Sequence, residues 1–153
     1  MTWKHQVLVV ANVTANSPEL VNTLKLRGER ASTSFSLIVP ATRFEGGRAA
    51  AIQRVREAVA SLRALGLDVH GSVADGDPVV AVAEAWSPAQ YDEIIISTLP
   101  VACSRWLRAD LPRRIEKLTG ALVTHVVAKP QNVKASAPRL AVRAATPPSV
   151  SCL

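Results

Sequence analysis

The sequence predicts an α/β fold, a parallel sheet of five strands in the order 3-2-1-4-5 with helices on both faces. Three observations carry this expectation. Five short apolar runs recur along the chain: QVLVVAN (6–12), SFSLIVP (34–40), LDVHGSV (67–73), DEIIIS (92–97) and ALVTHVVA (121–128). The segments between them show helical rather than alternating periodicity, the pattern of strands joined by crossover helices. The 153 residues are 48% hydrophobic but only 4% aromatic, which suits one core of stacked Ala, Val, Leu and Ile side chains on a sheet.

The opening MTWKHQVLVV has the basic start of a leader. Its apolar run ends at Ala11, short of the length such a segment needs, so 6–12 is read as the first strand of a cytoplasmic protein. Ser17-Pro18-Glu19 then starts a helix, with a hydroxyl cap, a proline in the first turn and an acid at the positive end of the dipole. That helix is expected to turn Leu20, Val21 and Leu24 inward and to stop near Gly28. A second helix spaces Ile52, Val55, Val59 and Leu62 on one face and ends at Gly66, with Arg54, Arg56, Glu57 and Arg63 as its solvated face. A third starts at Asp77-Pro78, buries Val79, Val82 and Ala83, and ends by Trp86.

The fourth connection cannot be one helix, because Pro112 interrupts it. Two pieces are predicted. A short turn capped by Ser104 holds Trp106 and Leu107, and a helix capped by Asp110 takes Pro112 into its first turn, buries Ile115 and Leu118 and ends at Gly120.

The formal charge is +6, and its location matters more than its size. Residues 1–128 hold 14 Lys/Arg against 12 Asp/Glu, whereas 129–153 hold Lys129, Lys134, Arg139 and Arg143 with no acid. The domain is therefore set at 1–128, and 129–153 is read as a flexible Pro/Ala-rich basic tail, which gives no support for nucleic acid as a partner. Cys103 and Cys152 form no disulfide framework, and His5, His70 and His125 stand singly, so no metal site is expected. No segment has the roughly 20 apolar residues that span a bilayer.

In an open parallel sheet, ligands bind beyond the carboxyl ends of the strands where the winding reverses. Here that crevice lies between the loops after the first and fourth strands. Asn12, Thr14, Asn16, Ser17, Ser97, Thr98 and Leu99 belong to it, with Thr42 and Arg43 from the loop after the second strand and Gly46-Gly47 as a hinge. The first loop, NVTANSPEL, has no glycine, which excludes a dinucleotide fingerprint and a Walker loop, and it has no acidic cluster for a phosphoacceptor. No Ser/His/Asp or Cys/His set can be assembled at the strand ends, so the reading is a binding module rather than an enzyme.

VLVVAN, then GLDVHGSVADGDPVVAVAEAW, YDEIIIST and LVTHVVA, in this order and spacing, make residues 6–128 resemble the universal stress protein family. The resemblance implies a flavodoxin- or Rossmann-like fold, dimers joined through the last strand, and a cytoplasmic role in stress adaptation. ATP-binding members carry a glycine motif after the fourth strand, whose positions fall here on Ser97, Pro100, Asp110 and Leu111, and a first-strand aspartate, matched here by Asn12. All five depart from that pattern. Pro100 removes an amide, and Asp110 places a carboxylate where terminal phosphates would lie. STLP and SRWL resemble a glycine-less branch of that family found in high-GC bacteria.

The expected ligand-binding set is Asn12, Thr14, Val39, Ser97, Thr98, Ser104, Arg105, Arg108 and Asp110, without catalytic or metal-binding members. Trp106 is read as a packing lid covered by arginine stems. No cofactor is expected, ATP being the disfavoured alternative. The partners expected are a second copy paired through 121–128 and an unidentified protein or small regulatory ligand.

Overall fold

The computed structural model describes residues 4–100 and 104–129, apart from the side chains of Leu107 and Arg108. Cys103, Cys152 and the tail beyond Lys129 lie outside the described residues. The strands are β1 (His5–Val10), β2 (Thr33–Pro40), β3 (Asp68–Ala74), β4 (Glu93–Thr98) and β5 (Val123–Val127). They form one parallel sheet in the order β3-β2-β1-β4-β5, as the sequence predicts.

Alternation along each strand divides the core in two. Val7 and Val9 of β1, with Phe35, Leu37 and Val39 of β2, face α1 (Pro18–Arg30) and α2 (Gly47–Ala64). Leu8 and Val10, with Ile94 and Ile96 of β4, face α3 (Pro78–Ala85) and α5 (Leu111–Thr119). Near-continuous burial along β1, β2 and β4 follows from helices covering both faces.

The helix starts follow the sequence. Ser17 Oγ accepts from the Leu20 amide at 3.2 Å, and Asp77 Oδ1 from the Val79 amide at 2.9 Å. At the far end of α5, Gly120 takes the left-handed conformation and donates to the Glu116 carbonyl at 2.8 Å.

Several expectations need correction. Helix α1 continues past Gly28 to Arg30, because Leu67 packs against Gly28 and the bare position can stay helical. On α2 the fully buried positions are Ala51, Ala58 and Leu62, while Val55 and Val59 flank them and Ile52 is only half-buried. Small residues take the centre of that face because the helix lies close to the sheet. On α3, Ala81 and Val82 are buried and Ala83 is exposed. On α5, Leu111 and Ile115 are buried and Leu118 is half exposed. The fifth strand is also narrower than 121–128. Gly120 reverses the chain before it, and the Ala128 amide adds one further bond to the Thr98 carbonyl at 2.8 Å.

At the amino ends of the strands lies a partly buried ionic cluster around Glu93. Glu93, almost wholly buried at the start of β4, pairs with Arg27 of α1 through Oε1 and accepts from Thr124 Oγ1 of β5 at 3.2 Å through Oε2. His5 Nε2 lies 3.1 Å from the same carboxylate, and its Nδ1 lies 3.5 Å from Asp92. Four elements are thus tied at the end of the sheet opposite the crevice.

Candidate functional site

The crevice at the carboxyl ends of β1 and β4 is closed by its own side chains. Asn12 is 2% exposed. Its Nδ2 donates toward the Pro40 carbonyl at 2.8 Å, Thr42 Oγ1 at 2.9 Å and Glu45 Oε1 at 2.9 Å. Its Oδ1 accepts from Arg54 Nη1 at 2.6 Å, which also donates to the Glu45 carbonyl at 2.6 Å. Arg54 therefore belongs to this network and not to a solvated face, a correction that no periodicity argument could supply, because only the fold brings its guanidinium over the strand end.

Beside it, Thr14 Oγ1 and Ser97 Oγ lie 2.7 Å apart and bridge the loops after β1 and β4. Thr98 Oγ1 donates to the Leu99 carbonyl at 2.8 Å and lies 2.8 Å from Nε2 of His125, whose pKa is lowered by burial. Buried polar groups satisfied in this way have little left to offer a ligand. Val39 does not reach the crevice either, as its side chain is wholly buried in the core.

The open space lies to one side. A cavity of about 520 Å³ sits between the loop after β2, the turn before α3 and the pair α4 (Arg105–Arg108) and α5. Phe44, Pro78, Val79, Trp106, Ala109 and Leu111 supply its apolar walls. Arg43, Arg105 and Arg114 bring positive charge to it, and Glu45 and Asp77 negative charge. Among the described side chains of the nine expected site residues, Arg105 alone lines it.

The turn Arg43–Glu45 precedes Gly46 and Gly47, whose positive φ angles of 94° and 66° make the sharp entry into α2. Asn12 and Arg54 pin this turn through Glu45, so Gly46-Gly47 sits at a fastened corner. On the turn stands Phe44, 73% exposed, and the Arg105 guanidinium lies over its ring at 3.9 Å. Trp106, read as a packing lid, is half-buried against the α3–α5 side of the core.

The largest correction concerns Asp110. It precedes α5 with φ 55° and ψ 43°, a left-handed conformation, and its side chain makes no capping hydrogen bond. A capping side chain needs extended backbone at that position to reach back to the helix amides, and the left-handed turn points Asp110 elsewhere. The segment is thus not self-capped as expected, although the Asp110 carbonyl still accepts from the Arg114 amide at 3.0 Å. Ser104 is buried before α4, with its amide donating to the Pro100 carbonyl at 2.9 Å. Arg108 lies on α4, its side chain outside the described residues.

The polar groups of the cavity wall are mostly committed. Thr42 Oγ1 donates to Glu45 Oε1 at 2.6 Å, and Asp77 serves the Val79 amide. Among the described residues, no carboxylate pairs with Arg43, Arg105 or Arg114, and no group of three or more His, Cys, Asp or Glu side chains could hold a metal ion. Sequence reading missed Phe44, Val79 and Arg114. The single signal for the last was its place one helical turn after Asp110.

No protein-family model matches the chain, and no curated protein matches it. Among solved structures, a universal stress protein in complex with cAMP superposes with a TM-score of 0.56 at 17% identity, over 82% of this chain and 99% of that one. A flavohaemoglobin from Malassezia yamatoensis overlaps more loosely, with a TM-score of 0.42 and 13% identity over 82% of this chain and 32% of its own. The fold is that of a universal stress protein. Among the described residues, no helix is long and apolar enough to cross a membrane.

Proposed function

We propose that the protein is a cytoplasmic stress-adaptation module that acts by holding a small regulatory ligand in the cavity beside its closed crevice. The observation that carries this reading is the cavity itself: about 520 Å³, apolar-walled and edged by three arginines without carboxylate partners among the described residues. Ligand sites have this size and this ratio of apolar wall to convergent charge. The universal stress protein fold supports the stress-adaptation part of the reading.

The module does not cradle ATP in the usual way on this reading. Asn12, where ATP-binding relatives carry an aspartate, is occupied by four partners. Pro100 has no amide to give, Ser97 is bonded to Thr14, and Asp110 sets a carboxylate at the start of α5.

A second reading is adenine-nucleotide binding through a remodelled loop. One observation favours it: Asp110, at a glycine position of the ATP-binding motif, keeps the left-handed turn that glycine takes easily. The solved relative in complex with cAMP shows that one protein of this fold takes a nucleotide with a single phosphate.

Self-association belongs to the same proposal. β5 is an outer strand that exposes Val127 and His125, with Leu122 exposed just before it, whereas the other edge, β3, exposes His70, Gly71 and Ser72. An apolar bare edge invites pairing and a polar one discourages it. Native mass spectrometry of the protein taken directly from cells tests the ligand reading, with calorimetry against ATP-magnesium and cAMP beside it. A small molecule that travels with the protein, together with no ATP binding below millimolar concentration, is the expected result. Micromolar ATP affinity gives the second reading precedence, and a protein that carries and binds nothing removes both.

A further inference from the structure

We propose that the ligand of this cavity is an aromatic carboxylate, a flat apolar body with one negative charge, rather than a nucleotide. The inference rests on the reading of the cavity as the ligand site and adds the chemistry of what fills it.

Charge sets the first limit. Among the described residues, three arginines and two carboxylates line the space, which leaves one positive charge to be balanced. A single carboxylate balances it, whereas a di- or triphosphate overshoots it. Arg105 enters from α4 and Arg114 from α5, and a planar guanidinium meets a carboxylate through two parallel hydrogen bonds. Arg105 rests at present on the exposed ring of Phe44, 3.9 Å from its centroid, so a guanidinium and an aromatic face already stand together at the mouth.

Unspent hydrogen-bonding capacity sets the second limit. A nucleobase must have its ring nitrogens and amino group paired when buried, or it loses affinity for each one left unpaired. Apart from the three arginines, the polar side chains of the wall are engaged with the protein: Thr42 with Glu45, Glu45 with Thr42 and Asn12, and Asp77 with the Val79 amide. What remains besides the arginines, which only donate, is the apolar surface of Pro78, Val79, Trp106 and Leu111, which suits a ring system without polar edges.

The test uses the full chain, with 2-naphthoate as probe, 2-naphthamide as its neutral counterpart and cAMP as the nucleotide, each titrated by calorimetry. Naphthoate is expected to bind at least about tenfold more tightly than naphthamide, the difference a charge-assisted pair with arginine provides. R114Q and R105Q should each remove most of that difference, and Ala109→Trp, which fills the cavity and keeps both arginines, should abolish binding. Circular dichroism confirms that each variant is folded, and the naphthoate-to-naphthamide ratio on the unaltered protein needs no variant. Equal affinity for the two naphthalenes, or cAMP binding more tightly than naphthoate, overturns the proposal. If cAMP binding is lost in Ala109→Trp, the cavity remains the ligand site and the carboxylate assignment alone falls. If no probe binds, both fall.

Discussion

Arg54 and Asn12, 42 residues apart in sequence, meet at 2.6 Å over the carboxyl end of β1. The contact joins a cation on α2 to an amide that also holds the loop after β2, so one side chain ties together the carboxyl-end crevice where open parallel sheets commonly bind ligands. Asn12→Ala should therefore cost about 1–3 kcal/mol of stability, because Arg54, Thr42 and Glu45 each lose a partner in a buried setting. Urea denaturation measures it. Asn12→Asp should also destabilise at neutral pH, since a carboxylate then replaces the donor 2.9 Å from Glu45 Oε1. Two facing carboxylates hold one pKa up, so this deficit is present above the carboxylate range and shrinks as pH falls through it. A neutral Asn12→Ala would show that the network does not hold the crevice shut.

The ion pair between Arg27 and Glu93 has the opposite architectural role, fastening α1, β4 and β5 at the amino end of the sheet. Breaking a buried pair from one side leaves an uncompensated charge. Arg27→Met should cost about 3 kcal/mol on that ground, and the double variant Arg27→Met with Glu93→Gln should recover part of the loss. A double-mutant cycle read by denaturation gives the coupling. Strict additivity of the two substitutions would mean that the carboxylate is held by His5 and Thr124 without Arg27.

The sheet was legible in the sequence because its signals are local. Apolar runs as at QVLVVAN and DEIIIS, proline after Ser17 and Asp77, and glycine at 120 each state their own structure. The site was less legible, because it depends on side chains that meet only after folding. Asn12 was found at the right place, but its partner Arg54 sits on a helix face that read as solvated, and Glu45 in a turn that read as a hinge. Asp110 was misread for a related reason: residue type suggested a cap, and the backbone angle, which the sequence does not state, decided against it. The cavity between α3, α4 and α5 is a product of packing, and of its walls Trp106, Arg105, Thr42 and Arg43 had been placed at or near a binding crevice beforehand, whereas Asp77, Pro78 and Val79 had been read only as the start of a helix.

Gly71 shows how closely α2 lies on the sheet. A Cβ there would come within 2.6 Å of Val59 Cγ2 and 2.8 Å of Val55 Cγ1. Gly71→Ala should destabilise by about 1–3 kcal/mol through overpacking. In a Val55→Ala, Val59→Ala background the same substitution should cost much less, as the methyl groups it strikes are gone. An equal cost in both backgrounds would place the strain in the β3 backbone instead.

The two edges of the sheet make the last prediction. Among the described residues, β5 pairs only with β4, through a register that runs from Ile94 opposite Val123 to Thr98 opposite Val127. Among the described residues its free side has no strand partner, and its side chains are mostly valines with Thr124 and His125 between them, so a second copy can pair its backbone and cover the valines. Val127→Glu puts a charge into that seam and should convert a dimer into a monomer in size-exclusion chromatography with light scattering. Ser72→Glu places the same charge on β3 and should leave the dimer intact, which controls for charge alone. A Val127→Glu protein that stays dimeric would move the interface away from β5, and a monomeric unaltered protein would remove it.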